Sequence, residues 1–306
     1  MSFTDKVKHE LTRIESSSLA ELSALLKMDG SIQISNKKLA VKIKLYQGEL
    51  ARRVFSLIKN NFDLQIEIIV REVNHFKYNR IYELILKSQP GIKNFLIKLG
   101  FLDNNNNIEY NVKNEFIENE PARKEYLRGV FLGGGSINDP HGEYHLEIRC
   151  EYESHAKDIM KILKKFDLNG HLNQHNSKYV VYLKSFDEIA AFLNIIGASN
   201  SQLKMEEIHL LKEVKNDVNR KVNAETANLD KTVAAAMEQL EKIKIIENEK
   251  GLDFLSSSLR EIAIIRKQNP YASLKELGEM LEPTLTKSGV NHRMRRLRNI
   301  ADELME

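Results

Sequence analysis

Apolar and polar positions along this chain follow a helical period and then an alternating one, and the whole succession occurs twice. Residues 22–31 read Leu-Ser-Ala-Leu-Leu-Lys-Met-Asp-Gly-Ser, and residues 127–136 read Leu-Arg-Gly-Val-Phe-Leu-Gly-Gly-Gly-Ser. Each predicts a short helix whose apolar face carries one small residue, Ala24 or Gly129, and which stops at Gly30 or Gly135. Small residues let two helices touch backbone to backbone, and a terminal glycine can take the left-handed conformation that redirects the chain into a strand. Alternating runs follow each copy, at 39–45 and at 144–150, as half-buried strands require. A helix is then predicted around 49–60 and around 155–166, followed by strand pairs at 65–71 with 80–86 and at 170–174 with 178–183. Matched helical words close the two halves, Phe-Leu-Ile-Lys-Leu-Gly at 95–100 and Phe-Leu-Asn-Ile-Ile-Gly at 192–197.

This order, helix-strand-strand-helix-strand-strand-helix written twice, resembles the LAGLIDADG homing-endonuclease fold in its single-chain, pseudo-twofold form, over roughly residues 15–200. The resemblance implies that the two motif helices pack at a pseudo-dyad and that two sheets straddle duplex DNA. It also implies an acid just before the last glycine of each motif, holding metal ions for phosphodiester cleavage. The first copy keeps that acid as Asp29, whereas the second has Gly134. Two-metal hydrolysis needs hard oxygen ligands on both sides of the scissile phosphate, which one aspartate cannot supply. Asp139 follows the second motif, but beside Pro140 it reads as a turn residue. The expectation is a non-catalytic endonuclease scaffold, with Asp29 and Gly134 vestigial.

Before the first repeat, residues 4–16 predict a helix capped by Ser2 or Thr4, with Val7, Leu11 and Ile14 on one face. Between the repeats, Asp103-Asn-Asn-Asn-Asn107 and the acidic run through Glu120-Pro121 read as a polar crossover.

After the repeats, residues 255–304 predict three helices. The first spans about 257–268 and stops at Asn269-Pro270, and the second opens at Ser273 with Glu276 in capping-box register. The third begins near Thr286 or Ser288, with Val290, Met294, Leu297, Ala301 and Leu304 at helical spacing. No acid occurs in residues 287–298, and the pattern is that of a helix-turn-helix whose third helix enters the major groove. Ser288, Asn291, His292 and Arg295 are the candidates for base edges, while Lys287, Arg293, Arg296 and Arg298 are candidates for phosphates.

Charge and composition narrow the classes. The 306 residues carry a formal net charge of only +3, so nucleic-acid binding would rest on local basic clusters. One cysteine, Cys150, gives neither a disulfide nor a zinc pattern, and a reducing cytoplasm is expected. No long apolar run predicts a signal peptide or membrane span. His141 with His145 and His171 with His175 are spaced four apart, but in turn-and-strand sequence rather than on a helix, so they read as surface residues and no metal or other cofactor is expected.

The stretch 204–246 is strongly helical and contains Asn216-Asp-Val-Asn-Arg-Lys-Val-Asn-Ala-Glu-Thr-Ala-Asn228. It reads either as a solvated linker or as a segment in which Asn219, Arg220, Asn223 and Asn228 contact phosphates or pin one domain to another. This word, lying between a degenerate LAGLIDADG pair and a terminal helix-turn-helix, is similar to the WhiA family of bacterial transcriptional regulators. The resulting expectation is an α+β chain: a duplicated αββαββα domain at 1–203 (repeats 15–102 and 121–200), a helical linker at 204–250 and an all-α helix-turn-helix domain at 251–306. The resemblance implies a nucleoid-associated regulator of cell division, sporulation or chromosome maintenance. Its partners would be double-stranded DNA and another transcription regulator or RNA polymerase, with no membrane. The competing readings are an active endonuclease and an RNA-binding or scaffold protein.

Overall fold

The structure, a computed structural model, describes residues 1–35, 38–73 and 79–305. The first half contains helices α1 (Phe3–Thr12), α2 (Leu19–Asp29), α3 (Gly48–Asn61) and α4 (Ile92–Lys98), with strands β1 (Gly30–Ser35), β2 (Lys38–Leu45), β3 (Glu67–Glu72) and β4 (Arg80–Leu86). A short helix, α5 (Asn114–Glu118), leads into α6 (Glu120–Gly134), β5 (Gly135–Ile137), β6 (Leu146–Cys150), α7 (Glu153–Lys164), β7 (His171–His175), β8 (Lys178–Leu183) and α8 (Phe186–Ile196). The remainder is helical: α9 (Ser199–Lys250), a single 3-10 turn at Leu252–Phe254, α10 (Ser257–Gln268), α11 (Leu274–Glu279) and α12 (Lys287–Glu303).

The predicted duplication is present. Two antiparallel sheets share one topology, β1-β2-β4-β3 and β5-β6-β8-β7, and α2 packs along α6 between them. Each sheet turns one face inward because its strands alternate. Val41, Ile43 and Leu45 of β2 are buried, and so are Leu146, Ile148 and Cys150 of β6, while the residues between them face outward. The amphipathic helices α3 and α7 cover those inner faces with Val54, Leu57 and Ile58, and with Ile159, Ile162 and Leu163.

The chain forms two compact units, Met1–Lys212 and Glu213–Glu306, and the division falls within α9. In the first unit, the Glu10 carboxylate accepts the backbone N–H groups of Asn200 and Ser201 at 2.8 and 3.0 Å, tying down the start of α9. In the second, Ile243 and Ile246 of α9 join Leu259, Ile262, Leu277, Val290, Met294 and Leu297 in a separate core.

Three local expectations are corrected. Gly30 and Gly135 adopt extended backbone, φ −92° and −82°, rather than the left-handed conformation. Glycine is needed there for space, since a Cβ on Gly30 would lie 2.5 Å from the Leu26 carbonyl oxygen. The opening helix ends at Thr12, short of the predicted Ser16. Ser2 is its cap, while the Thr4 hydroxyl donates to the Ile137 carbonyl at 2.8 Å and accepts from the Ile137 N–H at 2.9 Å. Glu120 and Pro121 belong to the first turn of α6, capped by Asn119, rather than to the crossover.

Candidate nucleic-acid interface

In the first unit the two motif helices meet at their small residues. A Cβ on Gly129 would stand 2.5 Å from the Glu21 carbonyl oxygen and 2.7 Å from the Ala24 Cβ, so the backbones touch there. The same crossing buries a charge network that the residue pattern did not reveal. Glu21 is fully buried; its carboxylate takes Arg53 through Nε and through Nη2 at 2.8 Å, and Arg128 of the second motif at 3.4 Å. Arg53 Nη1 also donates to the Thr12 and Ile14 carbonyls, and Arg128 Nε to the Ile196 carbonyl at 2.8 Å. The signal available in sequence was Ser18 three residues before Glu21, which marks a helix start and suggests an exposed acid.

The ends of the motif helices differ from one another. Burial pushes the Asp29 carboxyl up to about 7, with Lys8 opposing and Glu151 adding to the rise. The matching position of the second motif carries no acid: a Cβ on Gly134 would overlap the Met28 methyl and lie 2.8 Å from the Arg149 carbonyl oxygen. Asp139 accepts the His141 N–H at 2.9 Å in an exposed turn. Among the described residues, no group of three or more His, Cys, Asp or Glu side chains is arranged to hold a metal ion.

The paired histidines lie elsewhere. His145 and His171 flank the Tyr182 ring at 5.8 and 5.2 Å between centroids, and His141 and His175 are exposed. Cys150 is buried in β6, and burial pushes its thiol up to about 12. The outward sheet faces carry cations that are largely matched by acids: Lys42 and Arg71 both reach Glu83, at 2.8 and 3.3 Å, and Arg149 reaches Glu147 at 2.6 Å.

In the second unit the start of each helix is set by local chemistry. Ser273 and Glu276 form the reciprocal capping box of α11, and Thr286 caps α12 through the Gly289 N–H at 3.3 Å. Val290, Met294, Leu297 and Ala301 are buried, which turns the opposite face of α12 outward. Lys287, Ser288, His292, Arg295, Arg296 and Arg298 are exposed there, and Asn291 is half-buried. Arg293 differs from its neighbours: its Nη1 donates to the Ser258 carbonyl at 3.1 Å and pairs with Glu261 at 3.3 Å, binding α12 to α10. Arg298 pairs with Glu238 at 3.0 Å. The Asn-rich word is continuous helix, exposed throughout 213–231, with Arg220 beside Asp217 at 3.9 Å and the Asn228 carbonyl accepting from Thr232.

Comparison with known proteins agrees with this architecture along the whole chain. Three family descriptions match: the WhiA N-terminal LAGLIDADG-like domain at residues 15–102, the WhiA LAGLIDADG-like domain at 123–215 and the WhiA C-terminal HTH domain at 218–301. A probable cell division protein WhiA of Halothermothrix orenii is 60% identical over 99% of both chains. A Clostridium botulinum protein of the same name is 42% identical over 100% of this chain and 99% of its own. The crystal structure of full-length WhiA from Thermatoga maritima superposes with a TM-score of 0.60 at 28% identity, covering 99% of each chain. By sequence along its full length and by fold, this chain belongs to the WhiA family.

Proposed function

We propose that this chain is a sequence-specific DNA-binding transcriptional regulator acting in cell division, built on an endonuclease-like scaffold that no longer cleaves. The observation that carries the reading is the outer face of α12: a capped helix with an apolar inner stripe, no acid in residues 287–298, and the cations Lys287, Arg295 and Arg296 exposed on one side. A one-signed helix face beside a second capped helix suits the major groove. Ser288, Asn291, His292 and Arg295 are assigned to base edges, and Lys287, Arg296 and Arg298 to phosphates, the last exchanging Glu238 for the backbone. Arg293 holds α12 on α10 instead of reaching a phosphate. Asn219, Arg220, Asn223 and Asn228 sit on a solvated helix face and are assigned as secondary phosphate contacts.

Support for the loss of cleavage comes from the motif ends. A second carboxylate cannot start from Gly134 without displacing Met28, and Asp29 is held where burial favours its neutral form. The name shared by the relatives, cell division protein, fits a regulator rather than a nuclease.

The test is to incubate the protein with fragmented genomic DNA and Mg²⁺, and to sequence both retained fragments and new ends. Enrichment of a short common site without new ends is the expected result. Discrete, metal-dependent new ends would return the enzyme reading, and retention without a common site would remove sequence specificity.

A further inference from the structure

A cavity of about 360 Å³ in the second unit is lined by Lys231, Thr232 and Gln239 of α9, Arg266 of α10, Ser273, Lys275 at the start of α11, and Lys287, the first residue of α12. Four cations contribute to its wall and no acid does. Such a balance in a concave site raises the local concentration of anions.

One unmet buried donor, on Arg266, marks the wall as fit for an anion. Arg266 is 1% exposed, and its Nη1 donates to the Asn269 and Ala272 carbonyls at 3.3 and 2.6 Å. Its Nε has no hydrogen-bond partner among the described residues, nor does the buried Oε1 of Gln239. A guanidinium with carbonyl partners alone keeps its full positive charge in a buried setting, and such a charge is costly without an anion nearby. Around it Lys231 brings a flexible donor, and Lys275, 3.8 Å from Glu279, can exchange that acid for a phosphate oxygen.

We propose that this cavity is a phosphate-binding site, in which Arg266 supplies the fixed charge and Lys231, Lys275 and Lys287 close on the phosphate oxygens. The inference rests on the DNA-binding reading only through Lys287, which couples the site to the first turn of α12. The phosphate can come from the DNA backbone or from a free phosphorylated ligand, and the same chemistry serves both.

Full-length protein and a Lys231→Ala/Lys275→Ala variant separate these cases, because both lysines are exposed and their removal leaves the core intact. Pyrophosphate is titrated by calorimetry without DNA, and the affinity for a selected DNA fragment is followed against salt. Either of two results supports the site. Pyrophosphate binding weakened tenfold or more in the variant at unchanged DNA affinity identifies a free ligand. A salt slope reduced by roughly one for each phosphate that the variant no longer neutralises identifies the DNA backbone. Equal pyrophosphate behaviour of the two proteins together with an equal salt slope overturns the proposal. DNA binding through α12 is tested separately by Arg295 and Arg296 variants, so its failure leaves the pyrophosphate result interpretable.

Discussion

The thioether methyl of Met28, on the first motif helix, fills the space in which a side chain on Gly134 of the second would begin. The two motifs therefore differ in shape as well as in chemistry. Gly134→Asp is expected to destabilise the protein by about 1–3 kcal/mol through overpacking and to create no Mg²⁺-dependent cleavage. Adding Met28→Ala should recover part of that loss. Urea unfolding of the two variants and a plasmid-nicking assay check this, and a Gly134→Asp protein as stable as the parent would refute the steric account.

Glu21 is the charge on which the motif crossing depends. Glu21→Gln leaves the buried Arg53 and the half-buried Arg128 without a counter-charge, and the expected cost is about 3 kcal/mol, as for breaking a buried pair by one partner. Replacing Glu21 and Arg53 together by Met and Leu should cost less than the single change. A double variant weaker than Glu21→Gln would show that the network contributes more than its charge balance.

Along α12 the arginines divide by what they already touch. Arg295→Ala with Arg296→Ala should weaken DNA binding roughly tenfold or more and leave the melting temperature nearly unchanged. Arg293→Ala should instead lose about 1 kcal/mol of stability, because it unties α12 from Ser258 and Glu261. Fluorescence anisotropy on a selected site and thermal unfolding distinguish the two behaviours, and interchange of the two outcomes would reverse the assignment.

His155 Nε2 and the Tyr126 hydroxyl lie 2.8 Å apart in the core of the first unit. Burial, reinforced by Lys27 and opposed by Asp158, pushes the imidazole down from 6.5 to about 3. Between these values the unfolded chain holds a proton that the folded chain does not, so stability is full above about pH 6.5 and falls as the pH drops toward 3. At about pH 4.5 the loss attributable to this one group is about 3 kcal/mol. His155→Gln keeps a hydrogen-bonding side chain but does not titrate, and should flatten the pH profile of urea midpoints between about pH 7.5 and 4.5. Parallel profiles for the two proteins would assign the acid sensitivity to other groups.

Periodicity and capping determined much of the architecture before any contact was known. The strands at Arg80–Leu86 and Lys178–Leu183, the helix at Ser257–Gln268 and the Ser273–Glu276 box all stand where the pattern put them, because strand alternation, helical stripes and caps are set by neighbours a few residues apart. The duplication was legible for the same reason, as two copies of one local pattern. Tertiary structure alone decided which charges are spent inside the protein. Glu21 finds Arg128 across 107 positions, Arg293 finds Ser258 across 35, and Arg266 is enclosed by segments that only folding brings together. An arginine's role depends on what lies within a few ångströms of its guanidinium, and that neighbourhood is a property of packing rather than of spacing along the chain. Gly30 and Gly135 follow the same rule: the residue type was readable, but whether it answered a positive φ or a close approach was settled by Leu26 and Phe131 one turn away.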